Sequence, residues 1–599
     1  MKLQKVVVKN FRKLNDVEIL LDDSTFLIGA NNAGKTSTLD AIEILLSERK
    51  LDASCRSQHI DSDAVQTCLD DVIIEGEFTE VPIDIIGSRG FNVQRLFKYT
   101  KEDGTEAYSF RYRVRLSSDD KSHREIRLHN EKLKSCYESA KTYQDFIDAG
   151  ADSSLDFFSG KDLTKKLSAS DLKALPNDCP SLYEVEESEE WFENPGGIAS
   201  NVISVLPKFL KIKADILENE VGSSGTLHDI LSVLFEQVRD KSQNYRSAVE
   251  SLQRLQKELD PQDKESDFGK LMTELNKVVD NVFPTSSIDV TTDLSKPESL
   301  KPQFTVMLNS NISTDVAHQG TGLVRSVVFA LLKFNQQWRE ANTAAHPRSL
   351  IIGFEEPELF LHPNAANNMR NIIYELASND CQIISTTHSP YMIDLSKTIG
   401  QIYNSYSIGE KQFTNIFAFN HSKAFNDLME DDRSKIKMLQ KIDEYVSRVF
   451  FAQKAIIVEG DTECVVFKKT IEVMPESARK QISDRYQIIK ASGKAVIISL
   501  VKYLIAMNVD VFVVHDEDSS TPGAVIMNQP ILDALKGDTS KRLMLHNCIE
   551  DVLGYSAPSS EKPFNAYQHI KDWSSWDDVP QDWKNVMKKV FSDYAAQLL

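Results

Sequence analysis

The sequence lacks the features that would place it in a membrane, in an oxidising compartment or on a polyanion through bulk charge. No apolar run approaches the ~18 residues of a membrane span. The seven cysteines lie far apart and form no C-x-x-C pair, which excludes a compact zinc site or disulfide framework and predicts reduced thiols. Basic residues are in deficit, since 69 Lys and Arg face 89 Asp and Glu for a net charge of −20. We therefore expect a cytoplasmic protein with no membrane segment. The acidic balance argues against polyanion binding driven by total charge, but it permits a local basic groove or a metal-bridged contact.

A phosphate loop near the N-terminus is the clearest local motif. Residues 27–36 read LIGANNAGKT and fit G-x-x-x-x-G-K-[ST], between a strand predicted at 25–28 and a helix predicted at 37–46. The glycines let successive N–H groups point at phosphates, Lys35 reaches the β/γ oxygens, and the Thr36 hydroxyl can hold Mg²⁺. The motif predicts an ATP site that contains Gly29, Asn31, Asn32, Gly34, Lys35, Thr36 and Ser37.

The residues around this loop resemble the head domain of the ABC-type ATPases related to the SMC and RecF proteins. The resemblance rests on an N-terminal strand pattern, the sequence N-F-R at Asn10 to Arg12, and the phosphate loop. It implies that Arg12 lies near the nucleotide, although a solvated turn suits this arginine equally well. Further on, FRYRVRL alternates as an antiparallel strand whose arginines share one face. That face could meet phosphate or solvent, and we assign no site to Arg111, Arg113 and Arg115.

Helical spacing replaces the strand alternation from about residue 161 to residue 285, as at Leu227, Ile230 and Leu234. We predict a helical insertion there, used either for core packing or as a dimer contact. Residues 318–332 (HQGTGLVRSVVFALL) then place two glycines at the start of an apolar helix. In the resembling ATPases such a helix caps the γ-phosphate held by a partner subunit, although the usual signature serine is absent here. The resemblance implies at least a homodimer and a contact from Gln319, Gly320 and Gly322.

Acidic residues follow the next predicted strand, in SLIIGFEEPELFLHP at 349–363. Ligands collect at the carboxyl ends of parallel strands, where Glu355 would take the Mg²⁺-side position and Glu356 would act as the base that orients the attacking water. The run E-E-P-E-x-x-L-H-P is a strong family pattern. One strand later, CQIISTTHSP puts His388 where ABC ATPases keep a histidine that bonds the γ-phosphate.

A second centre is predicted after a connector at roughly 413–443. Three stretches that begin with apolar segments (454–463, 486–494 and 509–518) alternate with two helical ones, which implies a small parallel sheet. V-E-G-D-T-E followed by a strand ending in D-x-D resembles the Toprim fold of topoisomerases, primases and certain nucleases. So many acids at neighbouring strand ends would repel one another unless cations bind among them. They are Glu459, Asp461, Glu463, Asp516 and Asp518.

Hard oxygen donors suit Mg²⁺ or Mn²⁺, and two such ions ~3.5–4 Å apart can activate water and stabilise the leaving oxygen of a phosphodiester. We therefore expect two ions among these acids and one with ATP, the latter at Thr36 and Glu355. Downstream, either Glu550 or Asp551 could supply a further ligand, and Lys562 could stabilise the scissile phosphate.

The order of these segments resembles the OLD (overcoming lysogenization defect) endonuclease family, which includes the nuclease subunit of Gabija anti-phage defence. The resemblance implies an α/β protein with an ATP-regulated, metal-dependent DNA endonuclease activity, a homodimer or higher oligomer, and in some cases a helicase or retron-type partner. A non-cleaving RecF-like DNA clamp is the alternative. The predicted divisions are an ATPase in two parts (1–160 and 286–425), the insertion (161–285), a Toprim domain (445–560) and a helical tail (561–599).

Overall fold

The computed structural model divides the chain into two units, Asp215–Pro347 and the remainder. It describes the chain except at residues 62–63, 87–89, 102, 194–200, 215–229, 233–234, 236–241, 259–265, 267–268, 272, 274–306, 310–312, 316–323, 325–326, 335–347, 360, 378–380, 398, 410–411, 443, 520 and 599.

The strands of the described residues are β1 (Lys2–Phe11), β2 (Leu14–Leu20), β3 (Ser24–Gly29), β4 (Gln58–Asp61), β5 (Ala64–Thr67), β6 (Val72–Thr79), β7 (Phe97–Thr100), β8 (Glu106–Leu116), β9 (Ser122–Leu133), β10 (Tyr183–Glu193), β11 (Lys208–Ile212), β12 (Met307–Asn309), β13 (Ser313–Asp315), β14 (Leu350–Glu355), β15 (Cys381–Thr387), β16 (Gln401–Ile408), β17 (Thr414–Asn420), β18 (Lys454–Val458), β19 (Tyr486–Lys490), β20 (Asp510–Asp516) and β21 (Arg542–Leu545).

The α-helices of the same residues include α1 (Lys35–Leu46), α2 (Tyr143–Asp148), α3 (Ala169–Asp178), α4 (Asn201–Val205), α5 (Gln243–Glu258), α6 (Pro363–Leu376), α7 (His421–Asn426), α8 (Glu430–Ile442), α9 (Asp461–Val473), α10 (Glu476–Arg485), α11 (Lys494–Ala506), α12 (Pro522–Val525), α13 (Asn528–Ala534), α14 (Ile549–Leu553), α15 (Lys562–Ile570) and α16 (Gln581–Val590).

An antiparallel sheet in the order β10-β9-β8-β6-β1-β2, with β7 also paired to β8, forms one wall of the N-terminal region. Buried and more exposed residues alternate along its strands, because one face of the sheet packs against the core. Phe110, Tyr112 and Val114 of β8 are buried on that face. The arginines of β8 lie on the opposite face, where each pairs with an acid. Arg113 and Arg115 both contact Glu125 of β9. These charges are satisfied within the sheet, which favours the interpretation without a phosphate contact.

A mostly parallel sheet in the order β11-β14-β15-β3-β16-β17 carries the phosphate loop, and only the β16–β17 pair is antiparallel. Its central strands β14, β15 and β3 are apolar and almost wholly buried, as expected where both faces of a parallel sheet are covered. Helix α1 contributes Leu39, Ile42 and Leu45 to a core shared with the antiparallel sheet. The strand predicted before the phosphate loop is confirmed as β3.

A four-stranded parallel sheet in the order β19-β18-β20-β21 forms the C-terminal region. The helical tail belongs to the core of this region, because Trp583 of α16 is fully buried. Its indole N–H donates to the Thr470 hydroxyl at 2.8 Å, and its ring meets Phe467 of α9 edge-on with centroids 5.2 Å apart. Residues beyond 561 thus complete the domain.

The helical insertion predicted from residue 161 is wrong over its first part. Strand β10 extends the antiparallel sheet, and β11 pairs in parallel with β14. The prediction failed because β10 (YEVEESEEWFE) is an acidic edge strand in which no position is fully buried, so apolar periodicity is weak. β11 has only five residues, too few for a periodic signal.

The unit Asp215–Pro347 contains, among its described residues, helix α5 and the antiparallel pair β12–β13. Its limits differ from those predicted for the insertion. The proposed signature residues Gln319, Gly320 and Gly322 lie outside the described residues. No helix within the described part of the chain is both long and apolar enough to cross a membrane.

Candidate functional sites at the ends of two parallel sheets

The phosphate loop is held in a shape that requires its two glycines. Gly29 has φ 135°, and a Cβ there would lie 2.2 Å from the carbonyl oxygen of Tyr406. Gly34 has φ 105°, and a Cβ there would lie 2.7 Å from the Thr414 hydroxyl. Helix α1 begins directly afterwards, so the free N–H groups of its first turn face the end of the loop. Thr36, Asn31 and Asn32 are exposed at this end, and Ser37 is half-buried.

Lys35 folds back over the loop. Its ammonium donates to the carbonyl oxygens of Gly29 and Ala30, both at 2.9 Å, and lies 3.0 Å from Nε2 of His388. Burial lowers the pKa of Lys35 to about 8, while Glu356 and Glu358 act in the opposite direction. A buried ammonium that rests on weak carbonyl partners is well prepared to take an anionic one.

Glu356 and His388 come together because β14 and β15 are adjacent and parallel, with Glu355 opposite Thr386. Glu356 has φ 42° and its N–H donates to the carbonyl oxygen of Thr386 at 3.1 Å. Its carboxylate lies 3.3 Å from Nε2 of His388. Burial, and then Lys35, lower the pKa of His388, which favours the neutral imidazole at neutral pH.

Glu358 is a residue of this site that the sequence analysis missed. Its carboxylate accepts from the Thr387 hydroxyl at 2.5 Å and from the backbone N–H of His388 at 3.2 Å. Burial raises the pKa of Glu358. Glu358 thus stabilises the turn that positions His388. In the sequence it is the fourth residue of E-E-P-E, and that position could have identified it as part of the site. We call Lys35, Glu355, Glu356, Glu358 and His388 the phosphate-loop site.

A chain of ion pairs reaches this site from the N-terminal turn. Nζ of Lys211, on β11, lies 2.5 Å from Oδ1 of Asp40 and 2.9 Å from Oε1 of Glu355. The guanidinium of Arg12 pairs with the same Asp40. Neither sequence interpretation of Arg12 is complete, because the arginine is half-exposed but ion-paired to α1. Lys211 was missed because it fell within the predicted insertion.

The acids of the C-terminal region also meet at the carboxyl edge of a sheet. Glu459 follows β18 and Asp516 ends β20, and these strands are parallel neighbours. Glu463 lies in the first turn of α9 and Glu550 in α14, both almost fully buried. With Asp518, which follows β20, we call these residues the acidic site.

Several carboxylate oxygens of the acidic site are buried without a hydrogen-bond partner among the described residues: Oε2 of Glu459, Oδ1 of Asp516, and both oxygens of Glu550. Burial, and then the charges of Glu463 and Glu459, raise the pKa of Asp516 to about 8. Burial raises the pKa of Glu459 to about 7, and Asp518 and Glu463 add to the shift. Ionised oxygens left in this state are strongly unfavourable unless a cation binds.

The donor set has the chemistry of a hard divalent cation site, since it consists of carboxylates with free buried lone pairs. No three His, Cys, Asp or Glu side chains of the described residues are gathered tightly enough to form a complete metal-binding set. Asp461 is not brought into the cluster: its side chain is 61% exposed and pairs with Lys490 at 2.8 Å. Of the two downstream candidates, Glu550 faces the cluster, whereas Asp551 is exposed and bonds to Asn547.

Two lysines accompany the acidic site. Lys494, at the start of α11, is 4% exposed and lies 2.8 Å from Oδ2 of Asp518 and 2.9 Å from Oδ1 of Asn528. The sequence analysis missed it; the signal was the S-G-K turn before an apolar helix. Lys562, predicted to contact the phosphate, is exposed at the start of α15, and its charge partly offsets the raised pKa of Glu463.

Comparison with known proteins assigns a family to each region. The AAA ATPase domain family matches residues 1–393. The TOPRIM domain of proteins like the overcoming lysogenization defect protein matches residues 450–518.

Curated relatives are similar to the chain over different lengths. The Old nuclease of Escherichia phage P2 is 22% identical over 474 residues, which cover 77% of this chain and 68% of the relative. The OLD nuclease of Thermus scotoductus is 27% identical and covers 33% of this chain and 35% of that protein. Endonuclease GajA of Bacillus cereus is 23% identical and covers 45% of this chain and 41% of that protein. The chain thus spans well under half of the latter two.

Solved structures with similarity to the chain include an SMC head bound to the C-terminal winged-helix domain of ScpA, at 11% identity, 71% of this chain, all of that chain and a TM-score of 0.35. The SMC head domain from Thermotoga maritima is 10% identical, and the match covers 70% of this chain and 98% of that chain with a TM-score of 0.26. The domain assignments rest on the family matches: the chain belongs to the AAA ATPase domain family and joins to that domain an OLD-like Toprim domain.

Proposed function

We propose that this protein is an ATP-regulated, divalent-metal-dependent DNA endonuclease that acts in anti-phage defence, with the acidic site as its cleavage centre. The observation that carries the proposal is the set of buried carboxylate oxygens without partners at Glu459, Asp516 and Glu550. Buried polar atoms without a partner are uncommon in folded proteins, and a cation bound among these carboxylates would complete them.

The residues that would hold divalent ions are Glu459, Glu463, Asp516, Asp518 and Glu550. Mg²⁺ or Mn²⁺ bound there would supply an activated water and stabilise the charge on the leaving oxygen of a phosphodiester. The chain's own residues set the geometry. The backbone N–H of Gly460 holds one oxygen of Glu463 at 2.8 Å, and Lys494 holds Asp518. Lys562 is exposed beside Glu463, where it could bind the phosphate of the DNA backbone.

The phosphate-loop site would bind ATP. Its loop, the first turn of α1 and Lys35 would contact the phosphates, while Thr36 and Glu355 would hold the accompanying Mg²⁺. Glu356 would orient the attacking water, and His388, 3.3 Å away, would contact the γ-phosphate. Regulation of cleavage by ATP is the simplest reason for one chain to carry both sites.

A homodimer or higher oligomer follows from the family resemblance, with Gly320 and Gly322 acting across the subunit boundary. A helicase or retron-type protein would be a further partner. The relatives named Old nuclease, OLD nuclease and GajA support a nuclease, and the domain order of this chain supports its control by ATP.

The test is cleavage of supercoiled plasmid with Mg²⁺ or Mn²⁺ by the wild type, Glu459→Gln and Asp516→Asn. Asp510→Asn is the matched control, because Asp510 begins the same strand that Asp516 ends and pairs with Lys541 at 2.9 Å on the surface. We expect both site variants to lose at least about 100-fold in rate, since the ions supply most of the charge stabilisation, and the control to cut normally.

Equal cutting by all four proteins would contradict the proposal. Binding of DNA without cutting by the wild type would favour the RecF-like clamp instead.

A further inference from the structure

The carboxylate of Glu355 forms an ion pair with a lysine side chain of the same protein. Lys211 Nζ lies 2.9 Å from Oε1 of Glu355, and the side chains of Lys211, Asp40 and Glu355 are only 11%, 13% and 14% exposed. The pair exists because β11 runs parallel to β14, with Lys211 opposite Gly353, two residues before Glu355. A buried pair of this kind is costly to break from one side.

We propose that Lys211 is a positioning residue that holds Glu355 while the ATP site is empty and gives it up to the divalent ion that enters with ATP. The inference rests on the proposed ATP site and concerns how that site accepts its metal ion. Lys211 does not touch the nucleotide in this scheme, and it acts through Glu355.

The second partner of Lys211 makes this exchange feasible. Its ammonium also contacts Asp40, at 2.5 Å, so release of Glu355 does not leave a buried ammonium without an acid. Asp40 is itself held in place by Arg12. Lys211 thus has a fixed partner on α1 and an exchangeable partner on β14.

Charge arguments predict effects of opposite sign for two substitutions. Without the Lys211 ammonium, Glu355 would lose its counter-charge and a divalent ion would meet less repulsion, so the ion would bind more tightly. Without the Asp40 carboxylate, Lys211 would depend on Glu355 alone and the ion would have to displace a more firmly held lysine. A purely structural ion pair predicts neither change.

The experiment measures the Mg²⁺ concentration that gives half-maximal binding of a fluorescent ATP analogue, together with melting temperatures in EDTA and in Mg²⁺-ATP. The variants are Lys211→Met, Lys211→Arg and Asp40→Asn. The matched control is Lys2→Met, because Lys2 and Asp23 form an ion pair of 2.7 Å with similarly low exposure. Asp23 precedes β3, at the end opposite the phosphate loop.

For Lys211→Met we expect the Mg²⁺ midpoint to fall by about tenfold, because the variant removes an ammonium 2.9 Å from the ligand oxygen that both competes with the ion and repels it. Its melting temperature should fall in EDTA and recover in Mg²⁺-ATP. Asp40→Asn should raise the midpoint, and Lys211→Arg and Lys2→Met should leave it unchanged.

The inference is overturned if Lys211→Met and Asp40→Asn keep the wild-type midpoint, or if Lys211→Met loses stability equally in EDTA and Mg²⁺-ATP, as Lys2→Met should. A wild type that binds no analogue at any Mg²⁺ concentration would instead overturn the proposed ATP site itself.

Discussion

The phosphate-loop site and the acidic site lie at equivalent places, each at the carboxyl edge of a parallel sheet, but their acids are balanced differently. In the phosphate-loop site Glu355 faces Lys211, and Glu356 faces His388, with Lys35 beside them. In the acidic site Lys494 pairs with Asp518, whereas Glu459, Asp516 and Glu550 keep buried oxygens without hydrogen-bond partners among the described residues. The phosphate-loop site also has buried oxygens without a hydrogen bond, at Glu355 and Glu358, but the Glu355 oxygen lies 2.9 Å from the Lys211 ammonium.

This difference indicates what each site would bind. The first site already holds basic groups close to its acids, so the ligand it needs is an anion that brings one divalent ion, as ATP does. The second site has an excess of buried carboxyl groups over basic ones, so the ligand that would allow them to ionise is cationic. Two chemistries can thus share one chain because each site sets its own charge balance locally, despite the acidic character of the whole protein.

Substitution of Lys35 should impair the phosphate-loop site and leave the acidic site unaffected. Lys35→Ala removes the ammonium and should weaken binding of an ATP analogue by about 10–100-fold, the worth of a hydrogen bond to a charged group. The rise in the protein's melting temperature that a divalent ion causes by binding to the acidic site should not change. Titration with the fluorescent analogue measures the loss, and Lys9→Ala, an exposed lysine paired with Asp16, is the control. Undiminished affinity would rule Lys35 out as a phosphate ligand.

Substitution of Lys494 should shift the acidic site further towards negative charge. Lys494→Met leaves Asp518 without its ammonium partner, so plasmid cleavage should slow by about tenfold through a misplaced carboxylate. ATP-analogue binding should stay as in the wild type. Lys490→Met, which removes the ammonium paired with the exposed Asp461, is the matched variant. If both lysine variants cut alike, Lys494 has no special role in the site.

A change of pH should affect stability through the acidic site in the direction set by its raised pKa values. Asp516, with a pKa of about 8, and Glu459, with a pKa of about 7, keep protons in the folded protein that they release when it unfolds. Their unfavourable ionisation therefore lowers the free energy of unfolding as pH rises from about 4, where these acids ionise in the unfolded chain, to about 8, where they ionise in the folded one. The penalty is absent below that range. A divalent ion binds only the ionised acids, so it should offset the loss.

We expect the gain in melting temperature from Mg²⁺ over EDTA to be larger by roughly 2–4 °C at about pH 8 than at about pH 6. Differential scanning fluorimetry at the two pH values measures it. Asp516→Asn should reduce this pH dependence and Asp510→Asn should preserve it. A Mg²⁺ effect that is independent of pH would count against the raised pKa values.

Much of the molecule was predictable from short motifs. The phosphate loop and E-E-P-E indicate their local structure, because glycines with positive φ and acids directly after a buried strand are compatible with few local structures. The same holds for V-E-G-D-T-E and D-x-D, whose acids do meet at one sheet edge apart from Asp461. Family resemblance carried the order of the domains, which the family matches confirm.

The residues that the sequence did not reveal are those whose role depends on a partner far along the chain. Lys211 lies 144 positions before Glu355 and carries no motif, and only the parallel pairing of β11 with β14 brings the two together. Glu550 and Asp551 are adjacent letters of similar chemistry, and the orientation of α14 buries the first and exposes the second. The sequence by itself thus determined which chemical groups each site would contain. The tertiary structure decided which of them are buried and paired. Burial and charge pairing depend on distances between side chains in space, and these distances cannot be read from the spacing of residues along the chain.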